Sequence, residues 1–272
     1  MVDPRFRCPL CRSELATSSD AVSCTGCTTT FPVVDGIAVL KDPALIGDDD
    51  HFDTVSEEYD DSLPAHVVRH YLDKRVDYIR RVCPAGSVLD VGCGTGTLLE
   101  HLGGADHDRV GIDFSVGMLR VMRKKMSVAC AAASAGQLPF PDDTFDLAVS
   151  VAVLHHLEEP ALVRSSLQEM HRVVRPGGRL LIWDHNPLNP YWPILMKRVP
   201  QDVGTERLVP LAEIRAALDP LGAKLWPRRL GFIPEFVPAG ALPAAVRAER
   251  ILERIPGIRE LGAHNVVVAQ KV

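Results

Sequence analysis

The chain is short of the features that mark several large protein classes. No apolar run in its 272 residues reaches the roughly 18 needed to cross a bilayer, so no membrane span is expected. The opening Met-Val-Asp-Pro-Arg-Phe-Arg lacks the apolar core of a secretory signal, and a soluble cytoplasmic protein is the expectation. Basic residues are not in excess. Thirty Lys and Arg stand against 35 Asp and Glu, a net charge of −5, which gives no sign of a polyanion-binding surface. Lysine is scarce, 7 against 23 arginines, which reads as coding bias from a GC-rich genome. Cysteine is scarce beyond the first 27 residues: Cys83, Cys93 and Cys130 are scattered and match no disulfide framework. The length allows one large α/β domain with a sizeable core and a small appendage.

The N-terminus carries the densest pattern. Cys8-x-x-Cys11, twelve residues, then Cys24-x-x-Cys27 makes two thiolate pairs. Each pair can grip one ion while the N–H groups of its turn face the sulfurs, and four thiolates suit tetrahedral Zn²⁺. Such a site has no open position, so its expected role is structural. A segment of roughly 40 residues builds little core, and a metal would supply the missing folding energy. Residues 1–41 are therefore read as a zinc ribbon with Cys8, Cys11, Cys24 and Cys27 as ligands. Residues 42–51 read as a linker whose Asp48-Asp49-Asp50 run is a solvated hinge. The stretch 31–40, Phe-Pro-Val-Val-Asp-Gly-Ile-Ala-Val-Leu, resembles the end of the zinc-ribbon module in a small activator subunit of RNA and protein methyltransferases. A related ribbon fronts the bacterial rRNA guanine-N1 methyltransferases, where the last ligand is usually His; this chain has Cys27.

From residue 52 onward, strands alternate with helices, which predicts a parallel sheet. Apolar positions 67, 68, 72, 76 and 79 predict a helix over 67–81. Strands are expected at 87–91, 110–113, 128–134, 147–151, 179–183, 224–230 and 265–271. Further helices are expected at 116–126, 160–174 and 211–221, with Arg175-Pro-Gly-Gly178 as a turn. The first of these strands runs into Gly92-Cys-Gly-Thr-Gly96. Its glycines remove side chains where the backbone turns sharply and touches a ligand. The dinucleotide fingerprint needs Gly-x-Gly-x-x-Gly, and here the third glycine comes one residue early. Asp113 ends the second strand, 23 residues after Asp90, where a carboxylate can accept both hydroxyls of a ribose; its structural alternative is to cap the next helix.

The Asp90–Gly96 loop, Asp113, Leu138-Pro-Phe-Pro-Asp-Asp-Thr-Phe-Asp146 and Pro176-Gly-Gly178 together resemble the class I S-adenosylmethionine-dependent methyltransferases. The resemblance covers about Phe52–Val272. It implies a Rossmann-like α/β domain with seven strands in the order 3-2-1-4-5-7-6, the seventh antiparallel, and S-adenosylmethionine as cofactor. It also implies a contact set: Asp90, Gly92, Cys93, Gly94 and Gly96 in the loop, Asp113 and Phe114 after strand two, and Val151 after strand four. Ser134 and Ala135 are its adenine candidates. Tyr59 lies in a segment, Phe52-Asp53 to Tyr59-Asp60, that resembles the N-terminal helix closing over the cofactor.

A sulfonium methyl is already activated, so the protein mainly has to align an acceptor behind it, which supplies roughly 7–11 kcal/mol. A base is needed only for an O–H or a protonated nitrogen. His155, His156 and His185 are candidates, His185 first and His156 next, each with a packing role as its alternative. Two inserts would shape the acceptor site. Residues 185–209 carry Pro187, Pro190, Pro193, Pro200, Tyr191 and Trp192, and residues 231–262 carry Phe232, Phe236 and a helix near 244–254. They favour an apolar or planar small molecule: a lipid, a quinone-like ring or a specialised metabolite. Arg247, Arg250 and Arg254 share a helical face, which reads as solvated surface. An rRNA or tRNA base methyltransferase whose ribbon grips RNA is the alternative; the acidic balance and proline-rich lids oppose it. A third reading, a non-catalytic cofactor-binding protein, is opposed by the complete glycine loop and Asp113.

Overall fold

The structure is a computed structural model that describes residues 3–18, 20–45, 51–57, 59–61, 64–192, 196 and 205–272. Four short strands come first: β1 (Leu15–Thr17), β2 (Ala21–Cys24), β3 (Thr30–Val34) and β4 (Ile37–Val39). Seven more follow: β5 (Gly86–Val91), β6 (His107–Asp113), β7 (Ala129–Ala132), β8 (Phe145–Val151), β9 (Val174–His185), β10 (Lys224–Leu230) and β11 (His264–Gln270). The helices are α1 (His51–Val55), α2 (Ala65–Val82), α3 (Thr97–Leu102), α4 (Val116–Lys125), α5 (Pro160–Val173), α6 (Leu211–Leu218) and α7 (Leu242–Leu252). None is long and apolar enough to cross a membrane among the described residues.

The sheet order is β1-β2-β3-β4-β7-β6-β5-β8-β9-β11-β10. From β7 onward this is the 3-2-1-4-5-7-6 order that the resemblance implies, and β11 runs antiparallel to both β9 and β10. The central strands are covered on both faces, so they are near-continuous apolar runs. Successive residues alternate between the two layers. Val88, Leu181 and Val266 pack with Leu72, Val76 and Ile79 of α2, whereas Leu89, Ile182 and Val267 pack with α5 and α6 through Leu167, Met170, Ile214 and Leu218.

Two features differ from the sequence expectation. The Pro176-Gly-Gly178 turn lies inside β9: Phe145 pairs with Val174, Leu147 next pairs with Arg179, and the ladder between them is irregular. Gly177 there takes φ +81, a conformation that favours glycine, so the chain loops out and rejoins the same neighbouring strand. The third strand of the family order, β7, is also shorter than 128–134, running Ala129–Ala132, and Ala133 N–H makes the last bond of its ladder, to the Asp113 carbonyl.

The N-terminal strands join the main sheet. β4 pairs in parallel with β7, Ala38 opposite Ala131 and Val39 opposite Ala132, and Leu40 N–H donates to Ala132 O at 2.7 Å. All three β4 residues are buried, so this short strand covers what would be an open edge. Phe6 stacks on Phe140 at 5.3 Å, and Phe140 meets Phe145 edge-on at 4.9 Å. The Leu138-Pro-Phe segment is thereby a seat for the N-terminal module. The expected hinge Asp48–Asp50, and Pro193 and Pro200 of the first insert, lie outside the described residues.

Candidate active site

The four N-terminal cysteines converge. Cys8 and Cys27 sulfurs lie 3.6 Å apart and Cys11 and Cys24 sulfurs 3.3 Å apart, and all four lie within 4.8 Å of one another. Zn–S bonds of about 2.3 Å place tetrahedral sulfurs about 3.8 Å apart, so the set fits one ion. Gly26 and Cys27 N–H both donate to Cys24 Sγ at 3.3 Å, the knuckle geometry that steadies a thiolate.

At the carboxyl edge of β5 the glycine loop opens onto a cavity of about 720 Å³. Gly92 (φ +78) has no room for a side chain, since a Cβ would lie 2.4 Å from Val153. Gly94 (φ +53) is different: a Cβ there would meet nothing within 4 Å, so its bare face is the one a ligand can approach. Asp113 organises this loop. Its carboxylate accepts from Gly94 N–H at 2.7 Å and from Ser115 N–H at 2.9 Å. The cap of α4 is Ser115, whose Oγ accepts from Met118 N–H, so capping is not the role of Asp113. Asp90 lines the cavity from below the loop. Burial, with Asp113 beside it, pushes its carboxyl up to about 7 against the pull of Arg75. Cys93 sits in the loop with its thiol buried against Met122, and burial raises its pKa well above the ordinary value.

Residues 51–57 and 59–61 fold over this loop. Asp53 accepts from Ser115 Oγ and from Gly117 N–H, the latter at 2.7 Å, at the start of α4. Asp60 accepts from Thr95 Oγ1 at 2.8 Å and pairs with Lys125. Tyr59 lines the cavity between them, with Phe52 stacked edge-on against both Tyr59 and His156.

The opposite wall is a histidine cluster. Because β9 runs parallel beside β8, Asp184 at its end reaches the loop that follows β8. Its Oδ2 accepts from Val153 and Leu154 N–H at 3.1 and 2.6 Å; its Oδ1 accepts from His185 N–H at 2.7 Å and from the His155 ring at 2.8 Å. Burial alone would raise the Asp184 carboxyl, but His155, His185 and these bonds hold it well below the carboxylate range. An ionised Asp184 fixes His155 with the proton on Nδ1 and leaves Nε2 as the basic nitrogen. The ligand atoms of His155, Asp184 and His185 lie within 4.8 Å of one another, but the carboxylate already accepts four hydrogen bonds, which suits an oriented imidazole rather than an ion.

His185 stacks between His155, at 4.0 Å, and Trp192, at 3.6 Å. Its buried Nδ1 has no hydrogen-bond partner among the described residues, and burial holds its pKa well below the usual histidine value. His264 beside it is pushed down to about 3 by burial and by Arg75. Tyr191, Trp192, Phe232, Ile233 and Phe236 from the two inserts complete the apolar side of the cavity.

Of the residues named from sequence, Tyr59, Asp90, Gly92, Cys93, Gly94, Val151, His155, His156 and His185 line this one cavity, while Asp113 touches the loop through Gly94 N–H without lining it. Gly96 packs behind the loop against Met122. Phe114 lies under the Lys41 ammonium, 3.5 Å from the ring centroid. Ser134 lines a second cleft of about 620 Å³, shared with Cys11, Arg12 and Asp42 of the N-terminal module, and Ala135 packs against the core beside it. Sequence reading missed Arg75, Asp184 and Lys41. Arg75 projects from α2 into the main cavity, where its Nε has no partner among the described residues.

Loop, sheet order and cavity together define the class: an α/β protein that holds a nucleotide-type cofactor at the topological switch point. A family model described as a methyltransferase domain matches residues 89–182. The chain is 36% identical over 159 residues to the demethylmenaquinone methyltransferase of Renibacterium salmoninarum, covering 55% of this chain and 65% of that relative. It is 33% identical over 172 residues to that of Mycobacterium bovis, covering 60% and 71%. It thus spans slightly under two thirds of the length of the first of these. Among solved structures, a SAM-dependent methyltransferase from Thermotoga maritima superposes with a TM-score of 0.61 at 19% identity, over 81% of this chain and 98% of the other. The chain belongs to the class I S-adenosylmethionine-dependent methyltransferases.

Proposed function

We propose that this protein transfers a methyl group from S-adenosylmethionine to a quinone-like small molecule in its reduced, hydroxylated form. The observation that carries this is the continuity of one cavity, from the bare face of Gly94 to the aromatic walls of the two inserts, with the Asp184–His155 pair between them. The relatives named as demethylmenaquinone methyltransferases support a ring acceptor of this kind.

Gly92–Gly96 and Asp90 would hold the amino-acid end of the cofactor, Asp113 the ribose, and Tyr59 the region of the sulfonium. The cofactor supplies an electrophilic methyl. The chain's own residues do the rest. The acceptor O–H gives its proton to Nε2 of His155, and Asp184 stabilises the imidazolium that results. Arg75, a cation lacking an ion-pair partner among the described residues, faces the oxygen that becomes negative. Deprotonation enriches the ring carbon that would take the methyl; that carbon then loses its own hydrogen as a proton, and His155 returns its proton to the oxygen, so that the ring regains its aromatic, hydroxylated form. Trp192 and Phe232 would pack against the ring and exclude water, with Phe236 at the cavity mouth.

In the same reading, the four cysteines bind one structural Zn²⁺. An RNA substrate has no support in this site, whose acceptor side, formed by the two inserts, is apolar. The experiment is methyl transfer from labelled cofactor to a reduced demethylated quinone, set against bulk RNA.

Asp90 gives a proton-linked signature. With a folded pKa near 7, it is mostly protonated at pH 6. An ammonium placed beside it favours the carboxylate, so cofactor binding at pH 6 releases close to one proton, and by pH 8 the release vanishes. Calorimetry at pH 6 in two buffers of different ionisation enthalpy should show different binding heats, and Asp90→Asn should remove the difference. Identical heats in both buffers would remove Asp90 from the cofactor site.

A further inference from the structure

The second insert carries a surface that the transfer chemistry does not use. α7 separates its charges by direction. Its acids face inward: Glu249 is 2% exposed and takes Lys74 at 2.9 Å, His70 at 3.0 Å and Phe232 N–H at 2.8 Å, and Glu253, just beyond the helix, takes Lys74 and Gly231 N–H. Its arginines face outward: Arg247, Arg250 and Arg254 are exposed at helical spacing. Beside that row, Ile251 (60% exposed), Ile255, Ile258 and Leu261 form an apolar stripe open to solvent. Asn186 and Asn189 side chains donate to the carbonyls of Glu260, Leu261 and Gly262, tying the loop that carries exposed Leu188 to the same rim. Phe236, 70% exposed, belongs both to this rim and to the cavity mouth.

On a protein of net charge −5, an outward arginine row next to exposed isoleucines is locally opposite in sign to the whole. A second copy of this acidic chain would meet the isoleucines but gain little from the arginines. A surface that takes both is one with negative headgroups over an apolar interior. We propose that the rim formed by α7, residues 253–261 and Leu188 docks the protein on an anionic lipid bilayer, with the arginines at headgroup level and the isoleucines below them. The cavity mouth at Phe236 would then open toward the bilayer. This surface does not depend on which acceptor the cavity takes or on the methyl transfer itself.

The test is cosedimentation of the full chain with large unilamellar vesicles, one set of phosphatidylcholine alone and one of phosphatidylcholine with an equal part of phosphatidylglycerol. The protein should partition onto the anionic vesicles, more weakly as salt rises, and stay off the neutral ones. Each arginine near an anionic surface is worth roughly fivefold, so Arg247→Gln/Arg250→Gln/Arg254→Gln should lower partitioning on the order of a hundredfold. Ile251→Ser/Ile255→Ser/Ile258→Ser should also release the protein. Both variants change only exposed side chains away from the cavity, and their cofactor affinity should match that of the parent chain, which checks folding. No binding of the parent chain to anionic vesicles, or binding that both triple variants retain, overturns the proposal. So does a parent dimer that the isoleucine variant converts to monomer, because a second copy then covers the stripe.

Discussion

Replacing His155 with Gln should lower turnover by about 10²–10⁴-fold and leave the affinity for S-adenosylmethionine nearly unchanged. The argument rests on where the proton must go. A quinol oxygen attacks, or activates its ring, only after losing its proton, and among the described imidazoles of the cavity His155 is the one hydrogen-bonded to an ionised carboxylate, 2.8 Å from Asp184, whereas His156 lies 3.9 Å from Glu206. His185, the first choice from sequence, is stacked between two rings and its charged form is opposed by burial, so it is a poor proton acceptor near neutrality. His185→Asn should therefore cost far less than His155→Gln. Asp184→Asn tests the orienting role separately: it keeps an acceptor oxygen but loses the anion, so kcat should fall while the acceptor KM moves little. Steady-state kinetics with calorimetric cofactor affinities check all three. A turnover loss confined to His185→Asn would place the base where the sequence first suggested.

Removing the proposed zinc should be the largest perturbation of the fold. Structural zinc in small thiolate sites contributes about 10–16 kcal/mol of apparent binding free energy at neutral pH, comparable to the whole stability of a typical domain. Metal analysis should give about one zinc per chain, following the four-thiolate count. Stripping it with a chelator, or making Cys24→Ser, should unfold the module around β1–β3 and release β4 from β7. Hydrogen exchange would then show fast exchange at Ile37–Val39 while β5 and β8 stay protected. The effect should reach the cofactor, because Lys41 at the end of this module lies over Phe114, next to Asp113. Cofactor affinity should weaken several-fold without any change in the glycine loop itself. A metal-free chain with the same melting temperature and the same exchange pattern would mean that the cysteines are not ligands.

What was legible in the sequence is what depends on neighbours along the chain. The glycine loop shows because backbone geometry demands glycine at fixed short spacing, and the alternation of strands and helices shows because burial follows local periodicity. The place of Asp113 at the end of β6 was legible from the strand pattern. Asp184 was not, because its work depends on β9 lying against β8, which brings Val153, Leu154 and His155 to it from some thirty residues upstream. Arg75 was hidden for a related reason: on an amphipathic helix a single arginine looks like any exposed position until the cavity beside it is known. The N-terminal module was read as an appendage because a three-residue strand such as β4 has too little pattern to reveal its partner. Ser134, placed by family position beside the adenine, lines the second cleft together with Cys11, Arg12 and Asp42.

The most direct measurement of the central claim follows the methyl group. The full chain is incubated with S-adenosylmethionine labelled at the methyl carbon, in one vessel with the reduced demethylated quinone and in another with bulk ribosomal RNA. The account predicts label in the solvent-extracted quinone, strongly reduced by His155→Gln, and none above background in the RNA. Label in the RNA, or an unlabelled quinone from a chain that binds the cofactor normally, would contradict it.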